Sequence, residues 1–72
     1  MKKYAVAYTY IADNDLEIEF VEAESCRDAI IQVIRKQDWP EDQCQQLPED
    51  LEAIKEWMFN GDSLVDVKEL PQ

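Results

Sequence analysis

Seventy-two residues are enough for one domain, 1–72, and a chain this short buries only about 60% of its unfolded surface. A hydrophobic fraction of 46%, with two Trp, three Tyr and two Phe, excludes a disordered chain. Seventeen acids against seven bases, a formal net charge of -10, argue against DNA, RNA and anionic membranes as direct partners and favour basic protein surfaces.

Residues 3–11, KYAVAYTYI, predict a strand with Tyr4, Val6, Tyr8 and Tyr10 on one face and Ala5, Ala7 and Thr9 on the other. ADN at 12–14 is a turn. Residues 15–21 predict a second strand, in which Leu16, Ile18 and Phe20 point opposite to Asp15, Glu17 and Glu19. A hairpin pairing Tyr10 with Leu16, Tyr8 with Ile18 and Val6 with Phe20 gathers the bulky apolar groups on one face. A slip of one residue mixes the faces, so the alternation predicts this register.

Ser25 reads as the N-cap of a first helix, with Asp28 near its positive end. Cys26, Ala29, Ile30, Val33 and Ile34 follow at helical spacing, and Arg35 and Lys36 suit the last turn. Trp39-Pro40 ends the helix. PEDQCQQL at 40–47 is a connector with room for one helical turn. A second PED, at 48–50, opens a helix over 48–59 with Leu51, Ile54, Trp57 and Met58 on one face. Asn60-Gly61 closes it. SLVDVKEL at 63–70 is a last strand with Val65 and Val67 inward.

The order ββααβ predicts an α+β fold, a three-stranded, largely antiparallel sheet with two helices packed on one face. The first strand is placed at the centre, because its second face carries alanines rather than charges. The second strand is then an edge, where a row of acids discourages unwanted pairing.

Two blocks of acids stand out. Between Lys3 and Arg27 there are six acids and no base, and residues 38–52 again hold six acids and no base. Asp15, Glu17 and Glu19 would stand about 6.7 Å apart on a strand, twice a rise of about 3.3 Å, comparable to successive phosphates. Asp13 extends the row at the turn. Glu41, Asp42, Glu49, Asp50 and Glu52 form the second block. Together these nine acids are the candidate partner-binding residues, a surface presenting phosphate-like charge. For each acid alone, solvation, edge protection and helix N-terminal charge are the better account; for the two blocks together, at net charge -10, the two readings stand even.

Catalytic and metal chemistry find little support. Asp13-Asn14-Asp15 resembles the start of a calcium loop, but the glycine required at its sixth position is Ile18. No metal or cofactor is expected. Histidine is absent and Gly61 is the only glycine, which weakens a Cys-His nucleophile and a phosphate loop alike. Cys26 fits the apolar stripe of the first helix, and Cys44, in a polar connector, is expected to be the more exposed thiol. Trp39, Trp57 and Met58 read as core. Phe59 either packs on the last strand or is left partly exposed.

MKKYAVAYTYIADND is too interrupted by polar residues for a secretory signal, and no segment is long and apolar enough to span a bilayer. A reduced cytoplasmic setting with both thiols free is expected.

FVEAESCRDAII, residues 20–31, resembles a pattern of small phage and mobile-element proteins: a strand ending in an acid and a small residue, then a Ser-capped helix with Ala-Ile. In size and charge the whole chain resembles phage-encoded inhibitors of host defence, such as anti-CRISPR proteins and other nucleic-acid mimics. The resemblance transfers no individual residue. It implies a non-enzymatic inhibitor that occupies a basic nucleic-acid-binding surface of a host protein. Two alternatives stand beside it. One is an immunity protein or antitoxin neutralising a basic toxin. The other is a structural module, homodimeric through an edge strand or Phe59, whose charge serves only solubility.

Overall fold

The computed structural model describes residues 1–12 and 15–71, and for Asp15 the backbone alone. The predicted turn at 12–14 therefore lies largely outside the described residues. The elements are β1 (Lys2–Tyr10), β2 (Asp15–Ala23), α1 (Cys26–Lys36), α2 (Glu41–Gln45), α3 (Leu51–Asn60) and β3 (Ser63–Glu69). The sheet is antiparallel in the order β2-β1-β3, with β1 central and β2 an edge as expected. The helices cover one face, and the fold is α+β.

The β1–β2 register is the main departure from the sequence reading. Tyr10 pairs with Asp15 rather than Leu16, Tyr8 with Glu17 rather than Ile18, and Val6 with Glu19 rather than Phe20. Every described β2 side chain is thereby on the opposite face from the one expected. The cause is the short link to α1. Only Glu24 and Ser25 separate β2 from that helix, so the last residues of β2 must face the helix layer. Val21 and Ala23 do so and are buried. The two-residue period then carries Glu19 and Glu17 to the helix side and leaves Phe20, Ile18 and Leu16 outside.

The core lies between sheet and helices. Tyr4, Val6 and Tyr8 of β1 and the inward Val65 and Val67 of β3 meet Ala29, Ile30, Val33 and Ile34 of α1 and Ile54 and Met58 of α3. Leu47 and Cys44 close one end of it. The PED segment thus buries its cysteine, reversing the expected exposure of the two thiols. Cys44 is wholly buried and Cys26 only half-buried, and both are free. Burial raises the Cys44 pKa.

The helix ends follow local chemistry, with three changes from expectation. Ser25 caps α1, its Oγ accepting from the Asp28 N–H at 3.2 Å, as expected. α1 stops at Lys36, before the predicted Trp39-Pro40 boundary, in a Schellman turn. There the Trp39 N–H bonds the Ile34 carbonyl and the Asp38 N–H bonds the Arg35 carbonyl, with Asp38 left-handed at φ 63°. α3 begins at Leu51 rather than Pro48, because the Asp50 carboxylate accepts the Ala53 N–H at 3.3 Å and makes Asp50 the N-cap. At the end of α3 the left-handed residue is Asp62, φ 64°, and not Gly61, whose φ is -98°.

Candidate protein-interaction surface

β2 presents two chemically distinct sides. Outward stand Leu16, Ile18 and Phe20, exposed to 64%, 58% and 73%. They pair across the sheet with Thr9, Ala7 and Ala5 of β1, beyond which Leu64 of β3 is 46% exposed. A ridge of large side chains on an edge strand thus runs beside a column of small ones, an uncovered apolar sheet face. Sequence reasoning missed it by placing this ridge in the core. The signal was present in Val21 and Ala23, which extend the strand on the odd-numbered face.

The helix side of β2 carries Glu17, which is exposed, and Glu19, which is half-buried, so both stand at the margin of the helix layer. Glu17 accepts a hydrogen bond from Gln37 Nε2. Glu19 Oε1 lies 3.3 Å from Lys36 Nζ, and Glu19 Oε2 is buried with no hydrogen-bond partner among the described residues. Asp13 lies outside the described residues, as does the Asp15 side chain.

The second block is divided among structural tasks. Glu41 holds Arg35 through two hydrogen bonds, at 3.0 and 2.5 Å, and accepts a third from Gln45. The guanidinium and the amide together hold the Glu41 carboxyl below its usual pKa. Asp42 is exposed on α2. Glu49 lies 4.0 Å from Arg27 Nε, and Glu52 lies 3.9 Å from Lys55. Asp50 caps α3. The last turn of α1 therefore stands between the blocks, with Lys36 on Glu19 of the first and Arg35 on Glu41 of the second.

Two more ion pairs fall on β3. Lys2 meets Glu69 at 3.5 Å, and Lys55 meets Asp66 at 3.1 Å, which lowers the Asp66 pKa and raises that of Lys55. Among the described residues, Lys3 and Lys68 form no ion pair, and neither do the acids Glu17, Glu22, Glu24, Asp28, Asp38, Asp42, Asp50, Glu56 and Asp62. The acid excess is thus left largely uncompensated over the surface.

Between sheet and helices opens a cleft of about 710 Å³. Its walls include Tyr8, Tyr10, Trp39, Trp57 and the acid Glu17. Both tryptophans are half-buried, packed against the core from one side rather than enclosed in it as expected. Met58 is fully buried, whereas Phe59 is 58% exposed. Trp39 Nε1 donates to Tyr8 Oη at 3.2 Å, and Tyr8 Oη lies 3.5 Å from Ser63 Oγ.

Among the described residues no helix is long and apolar enough to cross a membrane. No protein-family model, curated protein or solved structure matches the chain.

Proposed function

We propose that this chain is a non-enzymatic, acidic protein-binding inhibitor that occupies a basic nucleic-acid-binding surface of another protein. The observation that supports it most is the uncovered ridge of Leu16, Ile18 and Phe20 on an edge strand of a molecule with net charge -10. Interfaces take their affinity from a few desolvated apolar anchors inside a polar rim. The ridge supplies the anchors. The surrounding acid excess selects a basic partner and speeds association. The partner surface then has an apolar patch bordered by Lys and Arg, as nucleic-acid-binding clefts do.

Tagged protein, loaded with host lysate at low salt and eluted on a salt gradient, tests this. The expected result is stoichiometric capture of a nucleic-acid-binding protein that DNA or RNA displaces and that Phe20→Asp fails to hold. Capture of the bait alone, or equal capture by Phe20→Asp, overturns it.

A second reading is self-association through the same face. Charge there is mixed: alternation places Lys3 and Lys68 outward together with Glu22 and Asp66, so two copies meet with little local repulsion. The ridge of one copy matches the alanine column of the other. Sedimentation equilibrium distinguishes the readings, since only self-association gives a dimer that Phe20→Asp dissolves.

A further inference from the structure

We infer that the cleft between β2, the α1 C-terminus and α3 is a binding site for a guanidinium group, the side chain of an arginine. The inference deepens the reading above by naming the group on a basic partner that this protein would grip. Its geometry is independent of the apolar face.

Trp39 is fixed at both its backbone and its ring nitrogen. The Schellman turn at the end of α1 fixes its backbone, through the Trp39 N–H bond to Ile34 at 3.3 Å and the left-handed Asp38. Its ring nitrogen is committed to Tyr8 Oη. The polar atom of the indole is thus satisfied inside the protein, and what remains for a ligand is π surface. Tyr8 meets Trp39 edge-on, with centroids 6.5 Å apart and planes at 76°. Trp57 lies 6.1 Å from Trp39 with planes inclined at 42°, so the two indoles do not cover each other by parallel stacking. Tyr10, 40% exposed, adds a fourth ring.

Aromatic faces attract cations through the ring quadrupole, Trp most strongly. The polar lining is selective in the same sense. Among the described residues of the lining Glu17 is the one acid and no Lys or Arg is present, and Gln43, Gln46 and Asn60 bring amides, whose carbonyls can accept from a cation. Gln37 holds the Glu17 carboxylate through one oxygen, Oε2, which leaves Oε1 for a ligand. An anion meets no positive charge here. A cation meets ring faces, a carboxylate and the field of a molecule at net charge -10.

Among biological cations the guanidinium fits best. It is planar, stacks on indole, and its five donors spread around its edge, where several separate acceptors can reach them. An ammonium is compact and strongly hydrated, and uses fewer of these features.

The two tryptophans of the chain both line this cleft, so the intrinsic tryptophan fluorescence reports on it alone. The test titrates the protein at low salt with N-acetyl-arginine amide, N-acetyl-lysine amide and N-acetyl-citrulline amide. The expected result is a saturable fluorescence change with the arginine compound, at least several-fold weaker binding of the lysine compound, and none of the isosteric but uncharged citrulline compound. Glu17→Gln, a change at an exposed residue, should weaken arginine binding several-fold while leaving the circular dichroism spectrum unchanged. An arginine-containing tripeptide that binds more tightly than free arginine places the group on a partner chain. Tighter binding of free arginine overturns that assignment. An equal response to citrulline, or no saturation with arginine, overturns the site. Because no partner is needed, this outcome and the capture experiment can fail separately.

Discussion

The two sides of β2 differ sharply in chemistry. One carries Leu16, Ile18 and Phe20 into solvent, and the other turns Glu17 and Glu19 toward the helices. An amphipathic strand ordinarily resolves the other way. Here the strand is longer than the helix layer that covers it. Its C-terminal half, with Val21 and Ala23, is roofed by α1. Its N-terminal half reaches only the last turn of that helix, where Lys36 and Gln37 receive the carboxylates. Acids are tolerated on the helix side because they sit at the margin of the roof, and the apolar residues outside stay exposed.

The largest expected effect would break this comparison outright. Val21→Ala removes buried methyl groups and should cost about 1.5–2 kcal/mol, at ~0.8 per buried CH₂. Its neighbour Phe20→Ala should change stability by no more than about 0.5 kcal/mol, as an exposed substitution does. In the hairpin register that buries Phe20, the same change would cost about 3–5 kcal/mol. Urea denaturation of the two variants decides between the registers.

A smaller effect separates engaged acids from free ones. Glu41 has its pKa lowered in the fold by Arg35 and Gln45, so its contribution is present above its ordinary value of 4.5 and is lost as pH falls through the lowered folded value. The Tm of Glu41→Gln should therefore lie below wild type near neutrality, and the gap should close at pH values under the carboxylate range. The same comparison at Glu24, an exposed acid with no ion pair among the described residues, should show no such gap. A gap for Glu41→Gln that persists in strong acid would mean that the ion pair is not its source.

The smallest effect sharpens the frame that holds the two faces apart. Asp62 is left-handed, and its carbonyl accepts the Ile11 N–H at 2.9 Å, where β1 ends and β3 begins. Asp62→Gly relieves the Cβ conflict and should raise stability by about 0.5–1 kcal/mol, read as a small rise in Tm. A loss would show that the Asp62 side chain supports the turn in a way its backbone conformation does not reveal.

Much of the fold was legible. Ser25 marks the start of α1, the spacing of Ala29, Ile30, Val33 and Ile34 marks its buried face, and Val65 and Val67 mark the inner side of β3. Central β1 could be read from its two apolar faces. The candidate surfaces were not legible. Nothing in the local pattern places Trp39 and Trp57, eighteen positions apart, beside Tyr8. The burial of Cys44 likewise depends on α2 folding back onto α1, beneath a segment whose own composition is polar.

The sequence alone determined the elements, their order and the fact that β2 has an apolar side and an acidic one. Those properties are set by periodicity and capping, which act over a few residues. Only the tertiary structure decided which side of β2 faces inward. A two-residue period is symmetric between the two faces of a strand, and the choice falls to the neighbour packed against it. In this chain that neighbour is α1, reached through two residues, and it turned Val21 and Ala23 inward and Phe20 out.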